Sequence, residues 1–183
     1  MTLSSTQYQQ YLDQLDSNNR DLVVEAAHAL GDIGDRRSVK ILIDLLQKTS
    51  DPVIRNAAAI GLRELGDERA LSPIVSLIND PKTEGYRGTL IYALEGFDCG
   101  RLLAFLVEQV ITGNFEVSHQ AFSVIESIDV EIDSITLDFC TQRVNDALLQ
   151  NDEKSDLLQD LIDLLNAMDY TTNVGEEDAE NHE

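Results

Sequence analysis

Tryptophan is absent from this 183-residue chain, and aromatic residues of all kinds make up only 5% of it. Any core must therefore be aliphatic, built from Leu, Ile, Val and Ala. Basic residues are also scarce, with 13 Lys and Arg against 34 Asp and Glu, a net charge of −21. Such a field repels nucleic-acid phosphates and anionic lipid, so neither nucleic acid nor membrane is expected as a partner. Cys99 and Cys140 are the only cysteines, without zinc-type spacing around either. They are expected as buried thiols in a reducing, cytoplasmic setting. No apolar run approaches the ~20 residues that span a bilayer. The opening MTLSSTQYQQYLDQL has neither the basic run nor the apolar stretch of a signal peptide. Gly-rich phosphate loops, HExxH and GxSxG are missing as well, so no catalytic residue, cofactor or metal is assigned.

What is present suits one folded domain, with 43% hydrophobic residues. Its charge is uneven. Met1 to Thr112 holds 16 acids and 11 bases, whereas Gly113 to Glu183 holds 18 acids and only Arg143 and Lys154. The second half carries −16 of the total, which either keeps a protein soluble or steers a basic partner towards it.

Sliding the chain along itself by 32 residues superimposes Leu22–Leu46, LVVEAAHALGDIGDRRSVKILIDLL, on Ile54–Ile78, IRNAAAIGLRELGDERALSPIVSLI. A degraded third copy keeps the register through Arg87, Leu94, Phe97, Arg101, Leu103 and Leu106, and Val117–Ile128 repeats the spacing of Ile54–Leu65. Each unit begins with apolar residues at i, i+3, i+4 and i+7, one face of a helix. Gly34 and Gly66 follow the last apolar residue, where a left-handed helix end favours glycine. Asp51-Pro52 and Asp80-Pro81 pair an N-cap with a proline suited to the first helical turn. Helices with one apolar face must stack. The expectation is about ten helices in an all-α solenoid of antiparallel pairs, a right-handed superhelix. Its breaks fall near Gly34-Asp35, Gly66-Asp67, Asp98-Gly100 and Asp129-Glu131. Capping helices are expected at about 5–15 and 154–169, closing a domain of residues 1–170, with an acidic disordered tail over 171–183. Ala27, Leu30, Leu42, Ala59, Leu62, Ile74, Leu94 and Leu106 are the expected core.

ALGDIGDRRSVKILIDLL and GLRELGDERALSPIVSLI, with the DPVIRNAAA before the second, resemble HEAT-like repeats of the phycobilisome-lyase type. That resemblance implies a stack of helix pairs whose second helices line a concave face. It also occurs in proteins of many functions, so fold likeness alone assigns none.

Among candidate contacts, Lys40, Ser72 and Ala104 share one position of the repeat, and Asp44, Ser76 and Glu108 another. Arg37, Arg69 and Arg101 form a row that either grips an acidic motif or braces each turn against the Asp two residues before it. Phe105 is either an aromatic anchor or part of a wider buried face. Glu25 and His28 have the spacing of a di-iron ligand pair, but no second pair exists to complete one, so a packing or surface histidine is expected. Asp156, Asp160 and Asp163 line one side of the last helix, as either a solvated cap or an acidic docking strip, with Glu131, Asp133 and Asp138 expected nearby. Two functions follow. The first is a non-catalytic, monomeric protein-binding scaffold, in its sharper form an acidic inhibitor or immunity-type protein covering a basic partner. The second, implied by the resemblance, is a bilin lyase or lyase-subunit relative handling a linear tetrapyrrole.

Overall fold

The computed structural model of the protein describes residues 5–150, 152–168 and 170–171. Ten α-helices run through them. Helix α1 is Ser5–Leu15. Four pairs follow: α2 (Arg20–Asp32) with α3 (Ser38–Lys48), α4 (Pro52–Leu65) with α5 (Leu71–Ile78), α6 (Gly88–Tyr92) with α7 (Leu103–Thr112), and α8 (Phe115–Glu126) with α9 (Ser134–Leu148). Helix α10, Ser155–Ala167, packs on α9. The first helices stack on one another, α1 on α2, α2 on α4, α4 on α6 and α6 on α8. The second helices α3, α5 and α7 each lie against the first helix of the next pair. The chain is an all-α solenoid, and its breaks fall where the repeat placed them.

Local chemistry explains the boundaries. Asn19, Asp51, Asn114 and Asp133 each stand in extended backbone before a helix, and their side-chain oxygens accept from N–H groups of the first turn. Pro52 occupies the first turn of α4, where a missing N–H costs nothing. Gly66 ends α4 in the left-handed region at φ +56°, and its N–H closes onto the Leu62 and Arg63 carbonyls. Ala27, Leu30, Leu42, Ala59, Leu62, Ile74, Leu94 and Leu106 are all fully buried, in one aliphatic core running the length of the stack. Small residues set a close helix crossing, where Ala27 and Gly31 of α2 meet Gly61 of α4.

The third pair departs from the pattern. Asp80-Pro81 opens only a 3-10 turn, Pro81–Thr83, and Gly85 then turns the chain at φ +82°. Helix α6 lasts five residues before relaxing into a second 3-10 turn, Ala93–Gly96. Gly85 and Gly88 stand where the second copy has Val53 and Asn56, near the start of α4. Their backbone freedom weakens a continuous helix there.

A two-residue parallel bridge joins Ile132–Asp133 to Tyr170–Thr171. Thr171, the first residue of the expected tail, is thus paired, and residues 172–183 lie outside the described residues.

Candidate functional site

The arginine row divides. Arg37 donates from its backbone N–H and guanidinium to Asp35, and Arg69 does the same to Asp67, with Nε–Oδ1 at 2.7 Å. Arg36 of the preceding turn reaches Asp67 at 4.0 Å, tying one repeat to the next. These arginines brace turns. The Arg69 side chain holds the Asp67 carboxyl down at about 2. Arg101 breaks the row because Cys99 takes the register position of Asp35 and Asp67. Asp98, one residue earlier, caps the Gly100 N–H instead, and Arg101 is exposed with no ion-pair partner among the described residues.

Most other candidates on the second helices are already engaged. Asp44 pairs with Lys48 at 3.3 Å, and Glu108 with Arg143 of α9 at 2.6 Å. Lys40 is exposed. Phe105, either an aromatic anchor or part of a wider buried face, is half-buried and packs on the core. His28 is half-buried beside an exposed Glu25, and His119 stacks on Phe115 at 4.0 Å. Among the described residues no three His, Cys, Asp or Glu side chains gather to hold a metal. Burial pushes the free thiols up, Cys99 to about 12 and Cys140 to about 11.

The acidic end is different. Asp156, Asp160 and Asp163 lie exposed along α10, and Glu131 and Asp138 are exposed on the linker and on α9. Asp133 is committed elsewhere, accepting from the Thr136 N–H at 2.8 Å and its hydroxyl at 2.6 Å to cap α9. Those bonds hold its carboxyl below the usual range. Neither cation of this half is available to neutralise the rest. Arg143 is held by Glu108, and the Lys154 ammonium lies within 3.0 Å of the Val110, Ile111 and Gly113 carbonyls and Ser118 Oγ, capping α7. Among the described residues, no carboxylate after Gly113 has an ion-pair partner.

The same end exposes apolar side chains. Of the seven exposed large hydrophobics among the described residues, five lie here: Phe115, Val130, Ile135, Phe139 and Leu149. Ile135 and Phe139, 67% and 58% exposed, are one turn apart on α9 and share a face with Asp138, Gln142 and Asp146. Sequence reasoning missed both. A shift of 34 residues rather than 32 finds them, since Leu137, Cys140 and Val144 then fall on buried Leu103, Leu106 and Val110, and Phe139 falls on Phe105. Helix α7 has α9 alongside it, whereas α9 has no following second helix among the described residues.

Residues 9–95 match the family model for HEAT repeats. This stretch, just under half of the chain, consists of HEAT-like repeats. A curated relative, deoxyhypusine hydroxylase from Bos taurus, is 33% identical over 70 residues, which are 38% of this chain. The shared stretch covers only 23% of that protein's length. No described helix is long and apolar enough to cross a membrane.

Proposed function

We propose that this solenoid is a non-catalytic protein-binding scaffold whose acidic end, α8 to α10, recognises a basic protein partner. The observation that carries the reading is the coincidence there of unpaired carboxylates with exposed Ile135 and Phe139. A solvated face kept acidic for solubility has no use for exposed aromatic and branched side chains. An interface uses them as anchors, while surrounding charge steers the encounter. The sharper form is an inhibitor or immunity-type protein that covers a basic surface. The net charge of −21 opposes self-association, so the working form is taken as a monomer. Two buried free thiols suit a reducing compartment, and the cytoplasm is the proposed location. The likeness to deoxyhypusine hydroxylase spans too little of that enzyme to bring its activity here, and we take it as shared repeat architecture.

The test is affinity capture from an extract of the native cell, using wild type and an Ile135→Ser/Phe139→Ser variant, at low and high salt. The reading predicts captured proteins more basic than the extract, depleted by salt and by the variant. A captured set of average charge, unchanged by the variant, contradicts it. The resemblance to phycobilisome-lyase repeats brings a second reading, the handling of a linear tetrapyrrole. Mixing the chain with such a pigment separates the two, because a scaffold leaves its absorption spectrum unchanged.

A further inference from the structure

The fourth pair spaces its core positions more widely than the pairs before it, across the linker from Ser127 to Asp133. Leu62 to Ile74 and Leu94 to Leu106 are each 12 positions apart, whereas Ile125 to the equivalent Cys140 is 15. The linker folds over the start of α7, where Gly100 admits it: a methyl on Gly100 would stand 2.5 Å from Val130 Cγ2. Beyond the linker, α8 and α10 pack together less extensively than α2 with α4, α4 with α6 or α6 with α8 among the described residues. The end of α8, the linker and the end of α10 border an open hollow of about 310 Å³. Ile128, Val130, Leu164 and Met168 supply its apolar lining, and Glu126, Asp129 and Glu131 its carboxylates. All three carboxylates are exposed, and none has a hydrogen bond or ion pair with a described residue. Among the described residues, no cation lines the hollow.

We propose that this hollow receives a lysine or arginine side chain of the protein partner, with its aliphatic stem on Ile128, Val130, Leu164 and Met168 and its charged head among Glu126, Asp129 and Glu131. A long cationic side chain satisfies both linings at once, since its methylenes cover apolar surface while its head stays among polar groups. A purely apolar occupant would strip water from the carboxylates and give them nothing in return, and an acidic one would be repelled. A second copy of the chain is a poor donor, because it brings its own −21 with it. The proposal rests on the basic-partner reading of the acidic end and narrows it to one point of contact.

The experiment titrates the full 15N-labelled chain at low salt with a blocked synthetic peptide alternating lysine and leucine, and with its counterpart carrying norleucine in place of lysine. The lysine peptide should shift amide resonances saturably around 126–131 and 164–168, and the norleucine peptide should not. Glu126→Gln/Asp129→Asn/Glu131→Gln should weaken binding severalfold. These exposed sites tolerate amides, and Ala167→Lys offers an independent block by placing an ammonium of the chain at the mouth of the hollow. Shifts centred on Asp156–Asp163 or on the outer face of α9, with affinity unchanged in both variants, overturn the hollow and leave the basic-partner reading standing. No shift anywhere with the lysine peptide overturns both.

Discussion

Gly31 of α2 and Gly61 of α4 meet backbone to backbone. A methyl on Gly31 would stand 2.5 Å from the Gly61 Cα and 2.7 Å from its carbonyl oxygen. Neither neighbour can swing aside as a side chain could, so Gly31→Ala must separate two helices that share a continuous buried face. Overpacking of this kind costs about 1–3 kcal/mol. Urea unfolding should show that loss for Gly31→Ala, and a change below about 0.5 kcal/mol, the range of ordinary surface substitutions, would mean that the helices cross more loosely than described.

Lys154 makes a second structural prediction. Its ammonium caps the end of α7 by contacting the Val110, Ile111 and Gly113 carbonyls, and among the described residues it has no carboxylate partner. Desolvation holds its pKa below the usual lysine range, as expected for a cation drawn partly out of water. Lys154→Met keeps the stem and removes the donors, so it should destabilise by about 1–3 kcal/mol through unsatisfied acceptors. Chemical denaturation measures it. Unchanged stability would show that water replaces the ammonium freely.

The pH dependence of stability follows from the turn carboxylates. Asp67 is held at about 2, against an ordinary 3.8, mainly by the Arg69 side chain, and Asp35 and Asp133 are lowered by their own hydrogen bonds. Lowered folded-state values mean that the stabilisation is complete above the ordinary carboxylate range and is lost as pH falls through the folded-state value. The urea midpoint should therefore decline as pH falls from 3.8 towards about 2, less steeply in Asp67→Asn. An identical slope in the variant would remove the Asp67–Arg69 pair from the account.

Much of the fold was legible because the repeat is written twice at full strength. Ala27, Leu30, Ala59 and Leu62 could be placed inward because one copy checks the other, and Gly66 shows its role by its position. The third pair was harder, since Gly85 and Gly88 break α6 without disturbing the 32-residue spacing of Leu94 and Leu106. The candidate site was legible as charge but not as shape. Asp156, Asp160 and Asp163 show their common face through helical spacing. Phe139 was hidden because α9 lies two residues out of the 32-residue register, and exposure depends on which neighbours a helix has. Asp133 and Glu108 looked like surface acids because the sequence does not reveal that Thr136 and Arg143 engage them.

Thiol chemistry offers an inexpensive check on the core. Cys99 and Cys140 are buried and free, and burial keeps both protonated at neutral pH. A disulfide-exchange reagent needs an accessible thiolate. It should leave the native chain nearly untouched for the lifetime of the fold and titrate two thiols in denaturant. Rapid reaction of either cysteine in the native chain would place it at the surface.

The central claim is that the acidic end of the solenoid is a recognition surface rather than solvated decoration. Asp156, Asp160 and Asp163 are exposed and lack ion-pair partners among the described residues, so reversing them to lysine changes the field while leaving the core alone. Rim charges act mainly on association rate and its salt dependence. The decisive measurement is the association rate of the captured basic partner with wild type and with Asp156→Lys/Asp160→Lys/Asp163→Lys, each at low and high ionic strength. A severalfold slower rate and a flatter salt dependence in the variant, with its helical content intact, is the predicted result. Equal rates and equal salt slopes would contradict it.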